Sequence, residues 1–268
     1  MSTDNTSRAA CVSTARRLES DHRARRRFEP VARPDGIRGI SAAYAIQREL
    51  VNLRRQTTGA AVAGYKIGLT TKQMQAMCGI DCPVSGVILS DSIFETPAYL
   101  DAASYGRLGL EFEVAVRMSK DLRRTNKEFT LTEIERSVDA VCAAIELVDD
   151  RGCDYGSLDA FSLVADNSWN AGLVCGTWKR EWPALETLEG IVRADGSEVG
   201  RGFGHDVLGG PLIALSWFAN RAREGETVLR AGEIVTTGNL IRTQFPTAAS
   251  RYQFDIKGLG SVTCEVMF

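Results

Sequence analysis

The most informative stretch of this chain is Leu110-Glu111-Phe112-Glu113-Val114-Ala115-Val116, an apolar run interrupted by two glutamates. Side chains alternate between the two faces of a β-strand, so Glu111 and Glu113 share one face, roughly 6.5 Å apart along the backbone. Two carboxylates side by side on a half-buried strand repel each other. We therefore expect a positive group between them, and a divalent cation is the usual solution because hard ions take oxygen ligands. An edge strand with both glutamates facing solvent is the alternative, and the spacing alone leaves both interpretations open.

A third glutamate stands in a similar apolar setting. Glu146 lies between Ile145 and Leu147 in the stretch 144–149. Burying a lone carboxylate costs several kcal/mol unless it is paired or bound to a metal. Together with Glu111 and Glu113, Glu146 would form an oxygen site for Mg²⁺ or Mn²⁺ with open positions for water and substrate.

Two other polar features occur within apolar surroundings. Lys66 lies in Gly64-Tyr65-Lys66-Ile67-Gly68, where its side chain could extend to water, the commoner arrangement, or could hold an anionic substrate or transfer a proton. Asp166-Asn167-Ser168 follows an apolar run, and it fits either a turn with an Asx hydrogen bond or the polar wall of a pocket.

Composition excludes several classes of protein. The chain has 268 residues, 44% of them hydrophobic, and a net charge of −2, which suits a globular protein and gives no basic footprint for nucleic acid. Seven cysteines without a pair of C-x-x-C motifs and only two histidines argue against a disulfide framework or a zinc site. The motifs of hydride transfer, phosphoryl transfer and serine hydrolysis are missing. The polar N-terminus has no signal-peptide pattern, so we expect a cytoplasmic protein without membrane spans.

Hydrophobic periodicity predicts an α+β protein. We expect disorder up to about residue 10, an N-terminal helical segment over 1–58 and a β-rich body over 59–268. Helices are predicted at 11–27, 41–56 with Ser41 as N-cap, 71–78, 211–224, and after a capping box at 132–135 with Ile134, Val138 and Val141 on one face. A break is expected at Pro30, Pro34 and Gly36. Strands are predicted at 60–68, 87–89, 108–118, 170–175, 233–237, 251–257 and 261–268, and a hairpin at 187–199.

A series of short motifs resembles one known family. The motifs are Ala42–Gln47, Gly64–Thr70, Glu111–Glu113, Ala144–Asp149, Val164–Asn167, Val207–Gly209 with Pro211, Ala231–Gly238 and Gly258–Val262. In this order, over residues 40 to 268, they resemble the 2-keto-4-pentenoate hydratase and 4-oxalocrotonate decarboxylase family of the fumarylacetoacetase-like superfamily. The resemblance implies a mixed β-roll body behind an N-terminal helical region, and a homo-oligomer built from dimers.

The same resemblance implies roles for individual residues. Glu111, Glu113 and Glu146 match the ligands of a divalent ion, Mg²⁺ or Mn²⁺. Catalytic roles are implied for Lys66 and Asp166. Contacts with a small 2-oxo acid substrate are implied for Lys66, Thr70 and Asn167. Arg242 could recognise a second carboxylate or another anionic group. Burial near the ion is expected to lower the pKa of Lys66 enough for proton transfer.

The implied chemistry is that of a lyase. An ion that binds a 2-oxo acid stabilises the enolate formed when a proton or CO₂ moves. A hydratase of 2-hydroxy-dienoic acids is the leading interpretation, and a decarboxylase is the second. Recruitment for isomerisation, cyclisation or hydrolysis of a 1,3-dicarbonyl is the third, and a silent stabilising subunit is the fourth. The intact glutamates and Lys66 argue against the last.

Several positions depart from the family pattern. Val84 stands where hydratases of the family usually carry an acid, and decarboxylases an apolar residue. Gly109 replaces a basic residue two positions before Glu111, although Arg107 is close. Gly209-Gly210-Pro211 and the segment 239–246 are also unusual. These changes indicate an altered substrate, because fold alone does not determine function.

Overall fold

A computed structural model describes residues 2–33, 39–123, 126–224 and 228–268, and the side chains of 2–7 and 223–224 are outside that description. Of the predicted break, Pro34 and Gly36 lie outside the described residues. The helices are α1 Ser2–Arg23, α2 Ile40–Thr58, α3 Lys72–Met77, α4 Leu131–Glu135, α5 Ala160–Ala165 and α6 Pro211–Glu224. The strands are β1 Val62–Gly68, β2 Val84–Leu89, β3 Ile93–Glu95, β4 Ala98–Asp101, β5 Leu108–Met118, β6 Val138–Asp149, β7 Asn170–Cys175, β8 Glu189–Ala194, β9 Ser197–Phe203, β10 Ile234–Gln244, β11 Ser250–Ile256 and β12 Gly260–Met267.

The strands form two sheets, one of seven strands in the order β2-β1-β10-β5-β6-β7-β3 and one of five in the order β4-β12-β11-β8-β9. The larger sheet is mixed, since β1 runs parallel to β10 and β3 parallel to β7. Its centre is the long antiparallel pair β5 and β6, in which Glu111 lies opposite Glu146. This register puts the predicted glutamates on one face of the sheet.

The opposite face of the larger sheet forms the main core. Phe112 and Val114 on β5 are fully buried, and the Phe112 ring lies 5.5 Å from the ring of Phe254 on the smaller sheet. Burying one aromatic or aliphatic side chain of this size contributes about 1.5–3 kcal/mol to the free energy of unfolding. The strict alternation along β5 therefore holds the two sheets together on one face and leaves the other face free for polar groups.

The N-terminal helices pack on the glutamate side of the body. Leu18 of α1 and Ile46 and Leu50 of α2 are buried in one apolar cluster with Val84 and Trp169. Apolar residues on α2 recur at helical spacing, which is why a helix at this position could be predicted. The cluster joins the helical segment to the region around the glutamates.

Most predicted elements are confirmed, and the errors are local. Helix α1 begins at Ser2 and ends at Arg23, so the predictions of early disorder and of a helix to residue 27 were wrong. Helix α2 has Gly39, not Ser41, as its N-cap residue.

The predicted capping box was also misplaced. The box is formed by Thr130 and Glu133, and the helix it opens ends at Glu135. Val138 and Val141 lie in β6 instead. A fully buried strand has no polar alternation, so an apolar run of this kind fits a helix or a strand equally well. None of the helices among the described residues is long and apolar enough to cross a membrane.

Candidate metal centre and active site

Three carboxylates converge on one face of the larger sheet. Oxygen atoms of Glu111, Glu113 and Glu146 lie within 4.8 Å of one another. Glu113 and Glu146 are fully buried, and the side chain of Glu111 is 21% exposed. The i, i+2 spacing on β5 and the pairing of Glu111 with Glu146 produce this cluster.

Apart from Lys66, a neighbouring amide or hydroxyl group donates a hydrogen bond to each glutamate. The Gly238 amide donates to Glu113 Oε2 at 2.7 Å, the Thr243 hydroxyl to Glu111 Oε1 at 3.1 Å, and the Asn170 amide to Glu146 Oε1 at 3.0 Å.

Two of the buried carboxylate oxygens are left without a donor. Glu113 Oε1 and Glu146 Oε2 have no hydrogen-bond partner among the described residues. Leaving buried charged oxygens unsatisfied is costly. An all-oxygen donor set with unsatisfied atoms fits a hard divalent cation.

Lys66 is the cation beside this cluster. Its Nζ lies 3.2 Å from Glu146 Oε1 and 3.6 Å from Glu111 Oε2, and its side chain is 5% exposed. The commoner interpretation, a side chain extending to water, was wrong. Gly86 makes room for the lysine, since a Cβ at this position would lie 3.0 Å from Lys66 Cγ.

Burial and mutual repulsion shift the pKa values of these groups. Burial foremost, with repulsion from Glu146 and Glu111, raises the pKa of Glu113 well above its usual range. Burial also raises the pKa of Glu146 to about 7, although Lys66 opposes the shift. Burial alone would lower the pKa of Lys66, but the three glutamates, Glu146 foremost, raise it above the ordinary value. This direction is opposite to the expected one, because the lysine faces three carboxylates.

The family of the chain follows from comparison with known proteins. Residues 82–267 match the family described as fumarylacetoacetate (FAA) hydrolase C-terminal. The chain belongs to this family. It is 34% identical, over 98% of its own length and 98% of the relative's, to a 2-keto-4-pentenoate hydratase of Burkholderia vietnamiensis (strain G4 / LMG 22486).

Two further proteins are similar to this chain. A 4-oxalocrotonate decarboxylase of Pseudomonas sp is 28% identical over 84% of this chain and 86% of its own. The solved structure of 4-oxalocrotonate decarboxylase from Pseudomonas putida G7, complexed with magnesium and adipate, superposes with a TM-score of 0.89 at 24% identity, covering 97% of this chain and 98% of that one. The resemblance and the fold class inferred from the motifs are confirmed.

Within this FAA hydrolase family member, Asp166 lies in a different environment from the three glutamates. It is fully buried, and its oxygens contact His22 Nε2 at 2.6 Å and Arg151 Nη2 at 2.9 Å. Burial alone would raise the pKa of Asp166, but His22 and then Arg151 lower it below its usual value. Both carboxylate oxygens are thus engaged, and the contact with His22 joins α1 to the body.

The predicted substrate-binding residues have distinct surroundings. The side-chain amide of Asn167 forms two hydrogen bonds with the backbone of Val87. Its Oδ1 accepts from the Val87 N–H at 2.7 Å, and its Nδ2 donates to the Val87 carbonyl at 2.9 Å. Thr70 is buried against Gly238, where a Cβ would lie 2.5 Å from Thr70 Cγ2. Arg242 is exposed on β10, next to the residue that contacts Glu111.

The departures from the family pattern lie close to the site. Val84 is fully buried, and its Cγ2 lies 3.5 Å from the Cβ position of Gly68, beside Lys66. A Cβ at Gly109 would lie 2.9 Å from the Phe245 ring, so that ring fills the space of the missing basic side chain.

The nearby Arg107 is not a free cation. Its guanidinium is paired with Asp150 and stacks on Phe245 at 4.6 Å. The wall beyond Gly109 therefore presents an aromatic ring and a neutralised arginine.

Sequence reasoning missed several residues that contact the site. Asn170, Thr243 and Gly238 each donate to a glutamate, and only the second lies in a segment already marked as unusual. His22 carried no recognisable motif, and its partner Asp166 is 144 residues away. An asparagine at the start of an apolar strand was the one local signal available for Asn170.

Proposed function

We propose that this chain is a divalent-metal-dependent lyase of 2-oxo or 2-hydroxy-dienoic acids, of the hydratase type. Its reaction would convert 2-hydroxypenta-2,4-dienoate, or an analogue, into 4-hydroxy-2-oxopentanoate. One observation carries the proposal: three converging carboxylates with two unsatisfied buried oxygens lie beside a buried lysine. The relatives named as hydratases support the same reaction class.

In this proposal Glu111, Glu113 and Glu146 hold Mg²⁺ or Mn²⁺. The bound ion would supply electrostatic stabilisation for the negative charge that develops on the substrate's 2-oxo oxygen. The chain's own residues set the geometry: Asn170, Gly238 and Thr243 orient the ligand carboxylates, which is the role that outer hydrogen bonds have at metal sites.

Lys66 is the proposed catalytic residue. Its ammonium would bind the substrate carboxylate or deliver a proton to the dienol carbon, and its burial keeps bulk water from competing. Thr70 would contact the substrate, whereas Arg242, exposed beside Thr243 on β10, is supported as a substrate contact only by the sequence. Asp166 and Asn167 belong to the proposed site as well. Because their side chains bind protein groups, their contacts favour a role in fixing the pocket wall and not in contacting the substrate.

Decarboxylation is the second candidate, and Val84 is the observation that favours it. This buried apolar side chain lies beside Lys66, at a position where an acidic residue could exchange a proton with the attacking water. Without that acid, departure of CO₂ needs only the charge-stabilising part of the site.

We also propose a homo-oligomer built from dimers, on the resemblance alone, and light scattering in solution would test it.

The test is a direct assay with Mg²⁺ or Mn²⁺. We expect loss of dienol absorbance from 2-hydroxypenta-2,4-dienoate, whereas CO₂ release from 2-oxo-3-hexenedioate would identify the decarboxylase. Glu111→Gln and Glu146→Gln should abolish ion binding in a calorimetric titration and leave the fold intact. The matched control is Glu95→Gln, at an exposed position of β3. Neither reaction at any ion concentration, or unchanged ion affinity in both glutamate variants, would refute the proposal.

A further inference from the structure

The segment 166–170, between α5 and β7, has an unusual backbone. Asn167, Ser168 and Trp169 have φ values of 54°, 50° and 60°. Non-glycine residues are strained in this left-handed region, and such strain persists only where surrounding contacts hold it, often at functional sites. We call residues 166–170 the clasp.

One end of the clasp is tied to the N-terminal helix. Asp166 contacts His22 of α1 at 2.6 Å and Arg151 at 2.9 Å, all of them buried or nearly so. The Trp169 ring packs edge-on against Phe28, which follows α1, at 5.3 Å. The position of α1 is therefore transmitted directly to the strained residues.

The other end of the clasp reaches the candidate active site. Asn170 donates to Glu146 Oε1 at 3.0 Å. The Asn167 carbonyl oxygen would lie 2.6 Å from a Cβ at Gly86, and the same Cβ would lie 3.0 Å from Lys66 Cγ. The clasp thus borders both the lysine and one of the glutamates.

We propose that His22 is a positioning residue of the active site. Through Asp166 it holds the clasp in the conformation that directs Asn170 at Glu146, and it touches neither substrate nor ion itself. This inference rests on the proposed function, because the geometry it preserves is that of the metal site. It makes α1 a contributor to the geometry of the site.

A matched control separates this role from general docking of the helix. Glu19, on the same helix, pairs with Arg54 of α2 at 3.1 Å and with Arg23 at 2.9 Å, and among the described residues no hydrogen bond or ion pair joins it to the clasp. Glu19→Gln weakens the attachment of α1 to α2 and leaves the His22–Asp166 contact in place. His22→Gln is the conservative variant, since its amide can donate from about the position of imidazole Nε2, and His22→Ala removes the donor.

The experiment titrates the full chain and these three variants with Mn²⁺ by calorimetry. We expect His22→Ala to weaken ion affinity roughly fivefold, somewhat less than the loss of about tenfold when a direct hydrogen bond to a metal ligand is removed, and the other two variants to stay within about twofold of the parent chain. Unchanged affinity in His22→Ala, or an equal loss in Glu19→Gln, would overturn the inference.

Hydrogen exchange measures the clasp without any ion. In His22→Ala we expect faster exchange over residues 166–170 and at β2, where the Val87 amide donates to Asn167. In Glu19→Gln both regions should exchange as in the parent chain. If the parent chain bound no Mn²⁺, the proposed function would fail. The exchange result would still decide whether His22 holds the clasp, because unchanged protection in His22→Ala would overturn that role.

Discussion

Replacing Asp166 with asparagine measures how much the buried ion pair between Asp166 and Arg151 contributes to the stability of the body. Asp166 is 0% exposed and its partner Arg151 is 1% exposed. The substitution keeps the shape of the side chain and removes its charge. Breaking one side of a buried ion pair costs about 3–5 kcal/mol, because the remaining charge is left uncompensated. Arg151 Nε and Nη1 already lack partners among the described residues, so we expect about 4 kcal/mol.

That loss is large against a total stability of about 5–15 kcal/mol. With a urea slope of about 3 kcal/mol/M, the unfolding midpoint should fall by about 1.3 M. Circular dichroism during a urea titration measures this shift. The control is Asp255→Asn, which breaks the half-exposed pair with Arg193 and should cost no more than about 1 kcal/mol.

A double variant tests the physical reason. Combining Asp166→Asn with Arg151→Met removes both charges, so most of the lost stability should return, because no uncompensated guanidinium is left buried. A midpoint shift in Asp166→Asn as small as that of Asp255→Asn, or no recovery in the double variant, would refute the reasoning.

Three further predictions follow from the same contacts. Because the pKa of Asp166 is lowered in the folded state, its contribution to stability is present above the unfolded-state pKa of about 3.9 and is lost as pH falls through the lower folded pKa. Between pH 5 and pH 3 the parent chain should therefore lose more unfolding free energy than Asp166→Asn does. Equal losses in urea titrations at the two pH values would contradict this. Asn170→Ala should weaken Mn²⁺ binding about tenfold in calorimetry, with Asn220→Ala, remote from the glutamates, as the control. Val84→Asp should raise the hydration rate roughly tenfold or more if the missing acid limits the reaction, whereas Val84→Asn should not. Equal rates for the parent chain and Val84→Asp in the dienol assay would show that an acid at this position is irrelevant.

The central strands and their glutamates could be predicted because their signals are local. Alternation along residues 108–118 depends only on neighbours in the chain, and the predicted bounds of this strand match β5. Helix α6 likewise follows from its own periodicity and from Pro211 in its first turn. The helix predicted through Val138 and Val141 failed because burial on both faces removes the alternation that distinguishes a strand.

The surroundings of Lys66 and Asp166 could not be predicted. A lysine between glycines fits a solvent-directed side chain as well as a buried one, and only the pairing of β1, β10 and β5 brings it to the glutamates. The direction of its pKa shift depends on the number of carboxylates around it, which no local pattern contains.

The amino-acid sequence alone determined which residue types were available and which face of each strand they occupy, because the chirality and spacing of the backbone dictate that alternation. From it came the fold class, the family resemblance and the three candidate ligands. Only the tertiary structure decided which groups meet: Glu111 opposite Glu146 through strand register, and His22 against Asp166 across 144 residues. Contacts of this kind depend on how distant elements pack, and packing is a property of the whole folded chain.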